Sequence, residues 1–228
     1  MRAIFFDTGP IISLTTNNLL GILQPLKKKY GGDFFITKGV QKELIKRPLE
    51  TKRFKFEALQ VLRKIEEKVI EVYENNQLDA KTLHLLDLAN TIFSAKGNNI
   101  TIIQYAEMHA LAAAILNQAD AYVVDERTTR QLIEDPKKLV KRLGRKLHTG
   151  ITVDQEKLKD FTKHTKDVKV IRSVELVAMA YELGLLEQYV LRIPNPKKTL
   201  IDSVLWALKM QGCSVSEREI REIVKMES

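Results

Sequence analysis

Apolar residues in this chain fall into short unbroken runs, and stretches of helical periodicity separate them. Ala3-Ile4-Phe5-Phe6, closed by Asp7-Thr8, predicts a buried strand within residues 2–8. Gly9-Pro10 ends the run, and Pro10 suits the first turn of a helix. Ile12, Leu19, Leu20, Ile22, Leu23 and Leu26 carry that helix on to Lys27-Lys28-Lys29, and Gly31-Gly32 stops it. Residues 33–37 predict a second strand. Val40 and Leu44 then share one face of a short helix that should stop near Pro48. A long charged helix follows with Phe56, Leu59, Leu62 and Ile65 on its apolar face, and another runs from an N-cap at Asp79 to Gly97.

Residues 100–103 are β-branched, and an Ala-rich helix runs from Tyr105 to about Gln118. Ala121-Tyr122-Val123-Val124-Asp125 predicts a further buried strand, Asp135-Pro136 opens a basic helix, and residues 168–171 give the last clear strand. A helix to Gly184 follows, then Pro194 and Pro196, then two short helices, with Ser216 and Glu219 at capping-box spacing before the last. Strands that alternate with helices predict an α/β fold, a parallel sheet of about 4–5 strands flanked by helices on both faces. There is no repeat or Gly/Ser linker, so residues 1–228 read as one domain. A helical insertion at about 50–100 and a basic helical insertion at about 132–166 interrupt it.

Composition narrows the class. Apolar residues make up 44% of the 228, enough for a substantial core. No apolar run approaches the ~18 residues of a membrane span, and the opening run is too short for a signal-peptide core, so a cytoplasmic protein without a membrane partner is expected. Cys213 is the only cysteine, which excludes an intrachain disulfide and a cysteine zinc site. Lys and Arg number 37 against 29 acids, a net charge of +8 that favours polyanions such as nucleic acid. A Lys/Glu-rich solvated surface would give the same count.

Inside this basic chain, acids occur where ligands bind in open parallel sheets, beyond the carboxyl ends of strands. Asp7 and Asp125 each follow an apolar strand, although an acid there is also an ordinary turn former. Glu107 lies in the first turn of the Ala-rich helix, where the helix dipole favours an acid on its own account. Glu43 flanks the apolar face of Val40 and Leu44. Carboxylates gathered in one cleft repel unless a cation neutralises them. Mg²⁺ or Mn²⁺ suits such oxygen ligands, and ions of this kind activate water for phosphodiester hydrolysis.

Phe5-Phe6-Asp7-Thr8 with Ser13, Val40-x-x-Glu43-Leu44, Ala106-Glu107-Met108-His109-Ala110-Leu111-Ala112, and Val123-Val124-Asp125-Glu126 with Arg130 resemble the ordered acidic motifs of PIN domains. The stretch from Val168 to Leu186 is similar to that family's last strand and helix, and Leu200 to Cys213, with Ser216, resembles the tail of the VapC-like ribonuclease branch. This resemblance spans nearly the whole chain outside the two insertions. It implies a PIN-like α/β/α sandwich and a Mg²⁺- or Mn²⁺-dependent endoribonuclease. Asp7, Glu43, Glu107 and Asp125 would be its catalytic acids, with Asp7, Glu107 and Asp125 on the metal. Thr8 would orient the first acid, with Ser13, Glu126 and Arg130 in support. RNA is the implied substrate, with DNA the other nucleic acid open to such a site. A homo-oligomer and an antitoxin-like partner are implied as well. The chain departs from the pattern at Ala106, where relatives often have Gly, and at Arg172-Ser173, where they commonly have Gly-Thr. The insertions also make it longer than compact PIN toxins.

Lys138, Lys141, Arg142 and Arg145 fall on one face of the basic helix opposite Leu139, Leu143 and Leu147, a spacing that could follow phosphates. An ordinary solvated face would have the same pattern. Other chemistries lack support. Asp7-Thr8-Gly9 spells the aspartic-protease triplet, but a helix follows where an all-β scaffold is required. No phosphate-binding Gly loop occurs, and the four histidines lack HExxH spacing. A receiver-like signalling domain would want paired acids after the first strand. The competing reading is a catalytically inactive PIN module that binds RNA or a protein partner. His109 reads as packing or surface, and Trp206 as core or dimer packing.

Overall fold

The computed structural model describes residues 2–227. Its strands are β1 (Ala3–Phe6), β2 (Asp33–Thr37), β3 (Glu71–Tyr73), β4 (Phe93–Ala95), β5 (Asn98–Asn99), β6 (Ala121–Val123), β7 (Thr152–Val153) and β8 (Val170–Ile171). Its α-helices are α1 (Thr8–Thr16), α2 (Leu23–Tyr30), α3 (Lys38–Gln41), α4 (Arg47–Glu50), α5 (Lys55–Glu66), α6 (Leu78–Thr91) and α7 (Tyr105–Asn117). They continue with α8 (Arg127–Glu134), α9 (Pro136–Leu147), α10 (Gln155–Thr165), α11 (Ser173–Glu182), α12 (Pro196–Met210) and α13 (Glu217–Glu227).

The main sheet has five strands in the order β3-β2-β1-β6-β8, all parallel. Every side chain of β1 and β6 is buried. Because successive side chains on a strand point to opposite faces, such runs need cover on both sides. Helices provide it, in an α/β/α sandwich as the alternation of elements implied. Phe5 packs tilted on Phe35 and edge-on to Tyr73, while Phe6 packs edge-on to Phe34. Each fully buried phenyl contributes about 2 kcal/mol of hydrophobic stabilisation. From β1 the chain adds strands outward to β3 and then returns to β6 on the other side. The crevice beyond the carboxyl ends of β1 and β6 is therefore a topological switch point.

Several expectations need correction. The first helix does not run unbroken to the lysines. It ends at Thr16, Asn18 takes a positive φ of 58°, and a 3₁₀ turn (Leu20–Ile22) leads into α2. Asn tolerates that left-handed conformation, and the break resets the apolar face. Pro48 does not stop the helix that starts at Lys38. A π-helical turn (Lys42–Lys46) precedes it, and Pro48 falls in the first turn of α4. On α5 the buried face is Ala58 and Val61, whereas Phe56 and Leu59 are 71% and 52% exposed.

The helix expected from an N-cap at Asp79 is capped at Gln77, with Asp79 inside its first turn, and it ends at Thr91, where a hairpin takes the place of its last turns. Lys96 and Gly97 both have positive φ, the backbone a two-residue hairpin loop requires. Residues 100–103 lie beside α6 as extended chain outside any sheet. The Asn90 side chain accepts from Ile102 and Ile103 N–H at 2.8 and 3.0 Å, satisfying the amides a neighbouring strand would have paired. Neither insertion is purely helical. The first contains β3, an edge strand of the main sheet, and the second contains β7, which pairs antiparallel with β4 in the small sheet β5-β4-β7. Among the described residues, no helix is long and apolar enough to cross a membrane.

Candidate metal centre

The backbone N–H of Asp7 donates to Val123 C=O at 2.9 Å, fixing the end of β1 against β6 at the switch point. Thr8 begins α1 directly after it. Asp7 is buried, and its Oδ1 has no hydrogen-bond partner. Burial, helped by the nearby charges of Glu107 and Glu43, pushes its pKa up to about 8, while the backbone amides of Thr8 and Gly9 pull the other way. The carboxyl is poised to hold a proton at neutral pH or to hand it over for a cation.

Asp125 is buried as well and already well supplied with donors. Ser173 N–H reaches Oδ1 at 2.8 Å, and the Ser173 and Ser13 hydroxyls reach Oδ2 at 2.8 and 3.2 Å. Ser173 opens α11 immediately after β8, so two parallel strands present their ends to one carboxylate. The position read as a departure from the family pattern is thus part of the site. Its neighbour Arg172 is buried, ion-pairs with Glu175 and Glu219, and donates to Ser214 C=O at 2.8 Å. Arg130 donates to the same carbonyl at 3.1 Å, and Ser214 N–H returns to Asp125 C=O at 3.1 Å. These contacts latch the 211–216 turn over Asp125, and Arg130 supports the site through that turn.

Glu107 is in the first turn of α7, with Oε2 accepting from Gln104 N–H at 3.1 Å. Its pKa is raised, chiefly by burial and further by Glu126 and Glu43, against the pull of that amide. Glu43 comes from the π-helical turn, a widened backbone that recurs at functional sites. Thr8 donates to Glu43 Oε2 at 2.8 Å, so this hydroxyl orients Glu43 and not Asp7, contrary to expectation. Glu126 caps α8, accepting from Arg127 N–H and Thr128 N–H at 2.8 and 3.2 Å and from the Thr128 hydroxyl. Burial raises its pKa, but these bonds and the Arg142 charge hold it below the usual carboxylate value.

Asp7, Thr8, Ser13, Glu43, Glu107, Asp125 and Glu126 line one cleft of about 260 Å³, together with Gly9, Gln104, Gln211 and Gly212. The fold therefore gathers the four expected acids with Glu126, Thr8 and Ser13, although they are spread from position 7 to 126. Gln104 and Gln211 were not anticipated. Gln104 stands three residues before Glu107, at the offset of a capping pair, whereas nothing in sequence marks Gln211.

The donor set is all oxygen, the chemistry that hard divalent ions prefer. No three of these carboxylates bring oxygens within 4.8 Å of one another. An ion held at once by Asp7, Glu107 and Asp125 would reach at least one of them through water, which suits Mg²⁺ because it dehydrates reluctantly.

The basic helix is divided. Lys138, Lys141 and Arg145 are exposed, whereas Arg142 is half-buried and donates to Thr128 Oγ1 at 2.7 Å, beside the Glu126 cap. Leu139 and Leu143 are buried, but Leu147 is 42% exposed. Of the two readings of His109, packing or surface, the first holds: it is buried, accepts from Gly39 N–H at 3.2 Å and stacks on Tyr105. Trp206 is partly buried against the core. Compared with protein-family models, with curated proteins and with solved structures, the chain matches none.

Proposed function

We propose that this protein is a metal-dependent nuclease of the PIN type, an endoribonuclease that hydrolyses RNA phosphodiesters with Mg²⁺ or Mn²⁺ in the carboxylate cleft. One observation carries the reading. Asp7 is buried with an unpartnered oxygen and a pKa near 8, in a cleft shared with four other carboxylates. Such a group is costly to ionise unless a cation enters. A divalent ion there would supply Lewis acidity to an attacking water and to the leaving oxygen. The chain supplies the rest. Asp7 releases a proton to admit the charge, Glu107, whose pKa burial also raises, faces the same cleft, and Asp125 stays fixed by its serines. Glu43 Oε1, reached only by Arg47 at 3.5 Å, is the oxygen free to take a proton from water. Gln104 and Gln211 offer neutral donors to phosphate oxygens. We place this activity in the cytoplasm, in a homodimer, with an antitoxin-like protein as a candidate inhibitor and DNA as a candidate second substrate.

A second reading, a PIN-type module that binds RNA or a protein without cutting, draws on the saturated hydrogen bonding of Asp125 and the wide spacing of the acids. One experiment separates the two. Wild type and Asp7→Asn are incubated with fluorescent single-stranded RNA, with and without Mn²⁺. Metal-dependent cleavage that Asp7→Asn abolishes, with its fold intact by circular dichroism, is the expected result. Equal cleavage by a folded Asp7→Asn protein would sink the nuclease reading. Binding without cleavage by wild type would favour the second.

A further inference from the structure

Outside the cleft, one cluster has metal-ligating geometry. His84 on α6 and Asp160 and His164 on α10 place one ligand atom each within 4.8 Å of one another. Asp160 and His164 are four residues apart, the spacing that puts two side chains on the same helical face. α6 buries Leu85 and Leu88, and α10 buries Phe161, so apolar packing fixes the backbones from which the ligands project. The two imidazoles stand edge-to-face with centroids 5.6 Å apart. Lys81 Nζ lies 2.9 Å from His164 Nδ1, so a cationic group already occupies an imidazole lone pair. None of the three ligands lines the carboxylate cleft. His84 is exposed and Asp160 and His164 are half-buried, so an ion has a path in.

We infer that His84, Asp160 and His164 form a binding site for a Zn²⁺-class transition ion, which displaces the Lys81 ammonium and staples α10 to α6. Two imidazoles and one carboxylate are a three-ligand zinc set, and water fills the fourth tetrahedral position. A nitrogen-rich set favours Zn²⁺, Co²⁺ or Ni²⁺ over Mg²⁺, which prefers oxygen. Displacement by the ion frees Lys81, half-buried on α6, to swing into solvent. The ion would join the two insertions of the chain, since α6 belongs to the first and α10 to the second.

The test is Zn²⁺ titration of the metal-free chain under excess Mg²⁺, with Co²⁺ absorption as a reporter of nitrogen ligation. Wild type and Asp7→Asn should each take up one equivalent and melt at a higher temperature with Zn²⁺ present. His84→Ala, at an exposed position outside the hydrophobic core, should bind at least about 10-fold more weakly and lose the thermal gain. Lys81→Met should bind more tightly, since no ammonium competes. No uptake by wild type, uptake unchanged in His84→Ala, or uptake lost in Asp7→Asn would each overturn the site. Weaker binding by Lys81→Met would overturn the displacement.

Discussion

Asp7 holds its proton more tightly in the folded chain, with a pKa of about 8 against a reference of 3.8. A carboxyl raised in this way stabilises the fold fully below the unfolded value and loses that contribution as pH rises through the folded one. The difference is on the order of 5 kcal/mol across that window. Metal-free protein is thus expected to melt at progressively lower temperature from pH 5 to pH 8.5. Asp7→Asn should flatten the slope, and Mg²⁺ should restore the wild type at the alkaline end. A wild-type slope unchanged in Asp7→Asn would show that other groups dominate. At Asp125, Ser173→Ala removes a 2.8 Å charged hydrogen bond, and denaturant titration should find a loss of about 1.5–3 kcal/mol. Ser13→Ala, at 3.2 Å, should cost less. Asp7 and Asp125 were visible in the sequence because each ends an unbroken apolar run. The bond from Thr8 to Glu43 was not, because a π-helical turn places an acid that lies 35 residues further on. Ser173 looked like a deviation because its partner Asp125 is 48 residues earlier.

Helix α9 follows α8 after the Asp125–Glu126 corner of the site, and its two kinds of basic residue should respond differently. If Lys138, Lys141 and Arg145 contact phosphates, replacing all three by Gln should reduce the slope of log affinity against log salt by roughly 2, at ~0.7 per contact on single strands. Cleavage at saturating RNA should persist, since phosphate contacts position substrate without activating water. Arg142→Gln should instead change cleavage more than binding, because it loosens Thr128 and with it the Glu126 cap. Filter binding across a salt series checks the first, and single-turnover cleavage the second. An unchanged slope would assign the exposed face to solvent or a protein partner. Helix α9 itself was legible from its Asp135-Pro136 start and apolar spacing. The inward turn of Arg142 depends on where α8 packs, and the exposed Phe56 and Leu59 on α5 show the same limit. Periodicity identifies an amphipathic helix, whereas tertiary packing selects the stripe it buries. Strands β3, β4, β5 and β7 were not read from the sequence; with two or three residues each they establish no alternation by themselves, and β6 and β8, equally short, were legible only from the longer runs 121–125 and 168–171 that contain them.

Across the whole molecule, the order of acids along the chain anticipated the switch-point cleft, because a parallel sheet brings strand ends together however distant they are in sequence. The union of the two insertions was invisible, since β4 and β7 pair across roughly sixty residues with no local signal. Deleting residues 132–166 alone should therefore leave the β4 edge bare and promote association, detectable by light scattering. A monodisperse deletion product would argue that β7 contributes little. The shared sheet also has a consequence in time. Asp154 N–H bonds to Ile92 C=O at 2.8 Å and Ile100 N–H to Phe93 C=O at 2.9 Å, on either side of one short strand. Neither insertion can open without disturbing that strand, so deuterium should enter both amides at a common rate, as one cooperative unit. Loops hung independently on the scaffold would instead exchange each on its own clock.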